Sequence, residues 1–495
     1  MKERKHDHKT SRRNFIKTSA LTFAGITVLP SHVVSGLGHV APSDKLNIAG
    51  IGVGGKGRHN LRNMVGQNIV GLCDVDWDYA DAVFKTYPSA KRWKDFRVML
   101  EKQKDIDAVV IATPDHSHAY QTMISMQMGK HVYVQKPLTH TVWEARQLTE
   151  AARKYGVATQ MGNEGHSREE VRKVTELLRS GVIGEVKEVY TSTNRPIWPQ
   201  GLERPAEQQQ VPGYLDWDLF LSGAPYRPYH EAYHPWSWRA WWDFGTGALG
   251  DMGCHVLDVP FYALQLKYPT RVQASSTTVN TESAPQASRV EFTFPAREEL
   301  PDVAMPEVKL VWCDGGILPP RPDELPDGIQ MGDYGGLNLY IGTKGKIISG
   351  NYGNEFKVLP LDLDYREPGK FLERIEEDPL GGGLHEMDWV RACKENPRSR
   401  KEACSSFEYA GPLTETVVMG NLAIRLQALQ RTFEWNGDRM EITNIGAGEK
   451  LNLITTNQYK KVDKKPKFLT EYKEVNALEF ARELIKPTYR EGWNW

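Results

Sequence analysis

Residues 46–57 read LNIAGIGVGGKG, an apolar run that passes directly into a glycine-rich segment. A short apolar run of this kind is typical of a strand buried in a parallel sheet. Gly52, Gly54 and Gly57 follow it with G-x-G-x-x-G spacing. The first glycine permits a tight turn, the second lets the backbone approach a pyrophosphate, and the third lets the next helix lie close to the strand. The stretch therefore predicts a strand, a phosphate-binding loop that includes Gly55, and a helix whose N-terminus faces the phosphates.

A second predicted strand, residues 68–73, ends in Asp74, about 20 residues beyond Gly52, which is the spacing of a nucleotide-binding βαβ unit. A carboxylate here can accept hydrogen bonds from the ribose of adenosine, and its charge disfavours a 2′-phosphate. A glycine-rich turn without a ligand is the alternative, but strand, glycines, helix, strand and acid in this order favour binding. The sequence thus predicts NAD, rather than NADP, as the cofactor.

Further strands near residues 107–112, 131–134 and 157–161 alternate with predicted helices. This alternation indicates a Rossmann fold, a doubly wound parallel sheet. Ligands of such sheets bind beyond the carboxyl ends of the strands. The residues at these ends are the candidates for cofactor contact, and one is a candidate for substrate contact. The cofactor candidates are Thr113, Pro114, His116, His118, Gln135 and Lys136, and the substrate candidate is Asn163.

Beyond residue 185 the predicted strands follow one another without intervening helices, which indicates an α+β domain with a large, mostly antiparallel sheet. Helices return at about 385–395 and 407–427. The end of the chain reads as polar and irregular, with an amphipathic piece near 477–484. We therefore predict a leader and linker (1–40), a Rossmann domain (41–165), a substrate-binding domain (166–432) and a C-terminal extension (433–495).

A second group of functional residues follows an aromatic block, residues 229–244, which holds seven aromatic side chains. If a helix begins near Leu249, Asp251 and His255 stand one turn apart on the same face. A histidine oriented by a carboxylate can act as a base near neutral pH. The alternative is an aspartate that counters the helix dipole and a histidine of the core.

Four residues are weaker candidates for substrate binding. Trp238 and Trp241 present rings that suit the apolar faces of sugars, although buried core aromatics have the same appearance. Arg239 could bind a hydroxyl or carboxylate, or stack on Trp238. His385 could line the pocket or cap its helix.

The chain resembles the Gfo/Idh/MocA family of NAD(P)-dependent oxidoreductases over roughly residues 45–430. The matching pieces are the glycine loop, residues 112–118, Lys136-Pro137 and the segment from Asp251 to His255. The resemblance implies that Lys136, Asp251 and His255 are the catalytic set. One departure is Gln135, where the family usually has a glutamate; the amide can hydrogen-bond but supplies no charge.

The resemblance implies hydride transfer to NAD from the carbon that carries a hydroxyl group of a sugar or glycoside. The position that it suggests is C3 of the ring, which would give a 3-keto product. His255 would take the hydroxyl proton, Asp251 would orient it, and Lys136 would polarise the oxygen. One rival is an NAD-dependent glycosidase of the same fold that works by transient oxidation and elimination. The other is a sugar-binding protein without catalytic activity.

The overall composition narrows the choice of partners. A quarter of the residues are charged and the formal net charge is −1, which gives no electrostatic reason to expect nucleic acid or an acidic membrane as a partner. The five cysteines form no C-x-x-C pair, and the histidines match no standard zinc spacing, so we expect no metal site. We expect a homo-oligomer that acts on a small sugar or glycoside.

The N-terminal residues 11–17, SRRNFIK, resemble a twin-arginine export signal. The apolar stretch that follows, residues 18–29, is shorter than the roughly 20 residues of a membrane span. The sequence predicts export to the periplasm by the twin-arginine translocase, without a membrane anchor. Because this translocase carries folded proteins, the enzyme could leave the cytoplasm with its nucleotide already bound.

Replacing both Arg12 and Arg13 by lysine is expected to strand the precursor in the cytoplasm, because the export receptor reads that pair. Cell fractionation followed by immunoblotting measures this. A matched control replaces Lys2 and Lys5, outside the motif, by arginine. Undiminished periplasmic appearance of the double-lysine variant would contradict the prediction.

Overall fold

In the computed structural model, which describes residues 44–305 and 307–495, the strand before the glycine loop is the third of six in a parallel sheet. The order is β3-β2-β1-β4-β5-β6, as expected for a Rossmann fold. The strands are β1 (Asn47–Ile51), β2 (Asn68–Cys73), β3 (Lys91–Trp93), β4 (Ala108–Ile111), β5 (His131–Val134) and β6 (Thr159–Met161).

The helices that connect these strands cover both faces of the sheet. They are α1 (Lys56–Asn63), α2 (Asp81–Thr86), α3 (Phe96–Lys102), α4 (Asp115–Gln127) and α5 (Val142–Tyr155). The sequence did not predict β3 or α3. β3 has only three residues, two of them exposed and charged, so it has no apolar run that would mark it as a strand.

The second sheet has nine strands in the order β13-β12-β11-β7-β10-β9-β8-β14-β15. Its pairs are antiparallel except β7 with β10, which run parallel. This confirms the predicted large, mostly antiparallel sheet. Its strands are β7 (Val186–Ser192), β8 (Arg271–Ser276), β9 (Ser288–Phe294), β10 (Val308–Cys313), β11 (Leu337–Gly342), β12 (Lys346–Gly350), β13 (Lys357–Leu359), β14 (Phe433–Asn436) and β15 (Glu441–Ile442).

Apolar side chains of this sheet share one core with the helices that follow the Rossmann strands. Buried Phe292, Trp312 and Tyr340 come from the sheet, whereas Val256 and Val417 come from the helices. The helices of this region are α6 (Glu169–Arg179), α7 (Trp217–Leu221), α8 (Gly247–Val256), α9 (Asp258–Ala263), α10 (Leu384–Lys394) and α11 (Phe407–Leu426). α8 carries Asp251 and His255, so the core fixes the position of both.

The interpretation of residues 433–495 as irregular was wrong. β14 joins the large sheet beside β8, and β16 (Lys450–Val462) and β17 (Lys465–Asn476) form a two-stranded antiparallel ribbon. The ribbon is mostly exposed on both faces, so its sequence lacks the alternation of apolar and polar residues that would reveal a strand. The amphipathic piece is α12 (Ala477–Ile485), as predicted.

Among the helices of residues 44–305 and 307–495, none combines the length and apolarity that a membrane span requires. The predicted export signal lies outside the described residues.

Candidate active site

The carboxyl ends of the Rossmann strands border a cavity of about 640 Å³, and α8 contributes to its wall from the side of the large sheet. The structure brings twelve of the predicted site residues to this cavity. They are Gly52, Gly54, Gly55, Asp74, Thr113, Pro114, Gln135, Lys136, Trp238, Arg239, Asp251 and His255. The cavity therefore combines the predicted nucleotide loop with the predicted catalytic group.

The glycine loop has the geometry that its spacing predicts. Gly52 has a φ of +76°, and a Cβ there would lie 2.7 Å from the carbonyl oxygen of Ala112. A Cβ on Gly57 would lie 2.2 Å from the carbonyl oxygen of Gly52, so this glycine serves the packing of α1 against β1 and does not face the cavity. Within the described residues no side chain caps α1, which leaves N–H groups at its first turn for a phosphate.

The Asp74 side chain fastens the glycine loop. One oxygen accepts hydrogen bonds from the N–H groups of Val53 (2.8 Å) and Gly54 (3.1 Å), and the other accepts from the N–H of Asp76 (3.0 Å). Burial raises the pKa of Asp74, although these donors act in the opposite direction. Because a carboxylate offers about four acceptor positions, one remains for a ribose hydroxyl. The loop, the uncapped helix and this acid together fit a bound dinucleotide.

An ion-pair group joins the Rossmann half of the site to α8. Lys136 Nζ donates hydrogen bonds to the Asp251 Oδ1 (2.9 Å) and to the carbonyl oxygen of the same residue (2.8 Å). Arg239 Nε donates to the same Oδ1 at 3.2 Å. Burial alone would raise the pKa of Asp251, but Lys136 and Arg239 outweigh it and lower the pKa. Asp251 is therefore an ionised carboxylate engaged by two cations.

The expectation that Asp251 orients His255 needs correction. The described partner of the His255 ring is the hydroxyl of Tyr352, which hydrogen-bonds with Nδ1. Burial, followed by the charge of Lys136, holds the pKa of His255 well below its ordinary value. The imidazole is therefore neutral at physiological pH, and a neutral imidazole can accept a proton.

Sequence reasoning missed Tyr352, which is buried and lies just after β12. Its ring occupies the space over Gly165, where a Cβ would come within 2.1 Å of it. Tyr352 and His255 are far apart in the chain, so no local spacing could have paired them. The only local indication of a large neighbour in the sequence was Gly165, because a residue without a side chain leaves room for one.

Two predicted cofactor residues, His116 and His118, are buried residues of the core. The ring nitrogens of His116 lie 2.9 and 3.3 Å from the carbonyl oxygens of Phe220 and Phe244. Those of His118 lie 2.8 and 2.7 Å from the carbonyl oxygens of Pro137 and Thr113. Burial lowers the pKa of both to about 4, so both are neutral. They hold the loops at the strand ends in place and do not line the cavity.

Three predicted substrate residues are also buried away from the cavity. Asn163 Nδ2 donates to Asp258 Oδ1 at 2.9 Å, which ties β6 to α9. His385 lies between Ser167 Oγ (2.6 Å) and the carbonyl oxygen of Met161 (2.7 Å). Each is thus a structural residue, because its polar atoms are already engaged by the surrounding chain.

Trp241 is the third predicted substrate residue that is buried away from the cavity. Part of the aromatic block therefore belongs to the core and part to the cavity wall. Trp241 packs with Tyr229, Tyr233 and Phe244 in an aromatic cluster, where its Nε1 donates to a backbone carbonyl at 2.8 Å. Trp238 instead lines the cavity together with Trp236, which the sequence analysis had not selected.

Arg239 lies close to both cavity tryptophans. Its Cζ is 4.1 Å from the ring centroid of Trp236 and 4.3 Å from that of Trp238. Trp236 is 51% exposed. The cavity therefore offers accessible ring surface next to the Lys136–Asp251 pair.

A polar network surrounds Gln135. Its amide donates to Asn60 (2.9 Å), whose own amide donates to Glu386 (2.8 Å) and Glu164 (3.1 Å). Glu164 also forms an ion pair with Lys56 at 2.7 Å. A glutamate in place of Gln135 would add a third carboxylate beside those of Glu164 and Glu386. The neutral amide avoids this additional repulsion.

The same network contains a group of potential metal ligands. One ligand atom each from His59, Glu164 and Glu386 lies within 4.8 Å of the others. A cation there would compete with Lys56 for Glu164, so we interpret the group as an ion-pair network.

Comparison with known proteins agrees with this geometry. Residues 46–163 match the family model described as "Oxidoreductase family, NAD-binding Rossmann fold", and residues 167–298 match its companion, the C-terminal alpha/beta domain. The chain belongs to the Gfo/Idh/MocA oxidoreductase family. Residues 46–163 are thus the NAD-binding domain of that family.

Two relatives and one solved structure illustrate the similarity. A "Glycosyl hydrolase family 109 protein" of Shewanella pealeana is 30% identical over 208 residues, which are 36% of this chain and 44% of the relative. A "D-glucoside 3-dehydrogenase" of Escherichia coli is 27% identical over 208 residues, 42% of this chain and 50% of the relative. The match thus spans about half the length of these relatives.

The solved structure is the WlbA dehydrogenase from Bordetella pertussis, crystallised with NADH and UDP-GlcNAcA. It has a TM-score of 0.53 at 15% identity, covering 79% of this chain and 99% of its own. At this identity the similarity shows a shared fold.

Asp115, at the start of α4, ties the Rossmann sheet to the beginning of α8. Its Oδ2 accepts hydrogen bonds from the N–H (3.0 Å) and the hydroxyl (2.6 Å) of Thr246, the residue before that helix. Burial raises its pKa from 3.8 to about 7. The carboxyl group therefore holds its proton in the folded protein at pH values where an exposed aspartate has lost it.

This shift predicts a pH-dependent loss of stability. Raising the pH from 4 to 7 favours unfolding, because only the unfolded chain releases the Asp115 proton in that range; the effect is at most about 4 kcal/mol. Asp115→Asn keeps an acceptor for Thr246 but does not ionise. We expect the free energy of unfolding of the natural protein to fall relative to that of the variant across this range, measured by urea titration. If the free energies of unfolding of the two proteins changed with pH in parallel, the prediction would be contradicted.

Proposed function

We propose that this protein is an NAD-dependent oxidoreductase that acts on a ring hydroxyl of a sugar or glycoside. The observation that carries the proposal is the single cavity in which the nucleotide loop, the Lys136–Asp251 ion pair and the neutral His255 meet. The names of the relatives, among them a glucoside dehydrogenase, support the substrate class.

NAD, when bound, supplies the acceptor for the hydride that leaves the substrate carbon. With its proton on Nδ1, His255 donates to the Tyr352 oxygen and keeps the Nε2 lone pair free to accept the hydroxyl proton. Tyr352 would thus orient His255, the role that the sequence had suggested for Asp251.

Lys136 would polarise the substrate oxygen. An ammonium group has three N–H donors, and two of them are used on the carboxylate and carbonyl oxygens of Asp251. No acceptor for the third is found among the described residues, so it can donate to the oxygen that becomes a carbonyl. Asp251 holds the ammonium group in place and compensates for its burial.

One further observation supports a sugar substrate. Trp236 and Trp238 expose ring surface on the cavity wall, which suits the apolar face of a pyranose. The predicted export would give the enzyme access to sugars and glycosides outside the cytoplasm. A 3-keto product could return its hydride in a second half-reaction, which fits a cofactor that stays bound.

A second candidate is an NAD-dependent glycosidase. Relatives named glycosyl hydrolase family 109 protein and alpha-N-acetylgalactosaminidase favour it. In such an enzyme transient oxidation would make the neighbouring C–H more acidic, and elimination would then break the glycosidic bond. The same residues, His255 and Lys136, could serve the oxidation step.

The two candidates differ in their products. We would incubate the enzyme with methyl glucoside, cellobiose, glucose and a p-nitrophenyl glycoside, reduce with borodeuteride, and locate deuterium by NMR. Deuterium at C3 without release of nitrophenol supports the dehydrogenase, and nitrophenol release without net NADH supports the glycosidase. Formation of a lactone or aldonic acid from glucose, which is oxidation at C1, or oxidation only of phosphorylated or non-sugar alcohols, would overturn the proposed substrate.

His255→Ala is expected to lower turnover by about 10²–10⁴-fold, because it removes the general base. NAD binding and the melting temperature should stay near those of the natural protein, since the side chain lies at the cavity surface. Tyr352→Phe should have a smaller effect and should alter the pH profile of kcat/KM, because the tautomer of His255 is no longer fixed. A His255→Ala enzyme with near-normal turnover would remove this residue from the mechanism.

A further inference from the structure

The last ten residues, here called the C-terminal tail (486–495), return to the Rossmann half after α12. The Tyr489 hydroxyl donates a hydrogen bond to Glu144 Oε1 on α5 at 2.6 Å. Arg490 donates through its backbone N–H to the carbonyl oxygen of Gly223 (3.0 Å) and through Nε to that of Ser222 (3.0 Å). The tail is thus held at two separate places.

These contacts place Trp493 in the wall of the main cavity. Its side chain is buried, with 5% exposure, although it lies only two residues from the last position. Its ring centroid lies 5.3 Å from that of Tyr120 on α4, and the Arg97 Cζ lies 4.3 Å from it. Trp493 is thereby packed against two helices of the Rossmann domain, α3 and α4.

The neighbours of Trp493 identify which part of the cavity it borders. Lys94, Asp95 and Phe96 line the same cavity and follow β3, the edge strand next to β2. β2 is followed directly by Asp74, the acid that contacts the adenosine ribose in this type of fold. Lys136 follows β5, three strands from β2, or about 14 Å away at the usual strand spacing.

We propose that Trp493 is a cofactor-binding residue and that the C-terminal tail acts as a clasp over the adenosine half of the NAD site. The inference rests on the proposed use of NAD and adds to it a device for retention. The indole supplies apolar surface for the adenine, and the contacts of Tyr489 and Arg490 hold it there. The cofactor would leave only when the tail lifts, which would suit an enzyme that recycles its nucleotide in place.

The test measures how fast NAD leaves the full-length protein. Radiolabelled NAD is bound, an excess of unlabelled NAD is added, and retained label is followed by rapid desalting. We expect Trp493→Ala to speed dissociation at least tenfold and Arg490→Ala to act in the same direction. Phe468→Ala is the control, because this exposed ring lies on β17, packs on Tyr459 and is not among the residues that line the cavity; its rate should stay within twofold.

A second measurement locates the effect on the ligand. Calorimetry should show that Trp493→Ala weakens binding of ADP-ribose but not of nicotinamide mononucleotide, which lacks the adenosine half. If Trp493→Ala does not fold, Trp493→Leu and Arg490→Ala are compared with the natural protein in the same two measurements. Unchanged dissociation in the tail variants of a protein that does bind NAD would overturn the clasp alone. A natural protein that neither carries nor binds NAD would overturn the proposed function and the clasp together.

Discussion

The ion pair between Lys136 and Asp251 is the interaction on which the site depends. It joins the end of a Rossmann strand to a helix packed on the large sheet, so it can form only when both parts of the fold are in register. Both side chains are largely buried, and loss of one partner would leave an uncompensated charge, typically at a cost of about 3–5 kcal/mol. The same contact positions the ammonium group for the substrate oxygen, so stability and chemistry share one interaction.

Histidines in this protein have two different roles, and burial alone does not separate them. His116, His118 and His255 all have lowered pKa values, and all are neutral for the same reason. The first two have both ring nitrogens within 3.3 Å of backbone carbonyl oxygens, one of which accepts the single ring N–H, whereas His255 borders the cavity with Tyr352 on one nitrogen. Within residues 44–305 and 307–495 the hydrogen bond of the His255 ring is the one at Nδ1, which leaves its other nitrogen available for proton transfer.

Gln135 shows how a departure from the family pattern can fit its surroundings. Through Asn60 it is connected to Glu164 and Glu386, and the pKa of Glu386 is already raised by burial and by the charge of Glu164. A carboxylate at this position would increase that repulsion. Because Gln135 carries no charge, the ion pair between Lys136 and Asp251 is the main electrostatic contact between the Rossmann sheet and α8.

The sequence by itself determined the parallel Rossmann sheet, the large antiparallel sheet, the glycine loop and the helix that carries Asp251 and His255. These features depend on periodicity and spacing within short segments, which the chain displays directly. Asp74 and Lys136 were found for the same reason, since Asp74 directly follows β2 and Lys136 is the second residue after β5.

Only the tertiary structure decided which polar and aromatic residues reach the cavity. Trp238 and Trp241 are three residues apart in one aromatic block, yet one lines the cavity and the other is buried in the core. Tyr352 and Trp493 come to the site from distant parts of the chain. Their placement depends on how separate elements pack against one another, and such long-range packing leaves no periodic pattern in the local sequence.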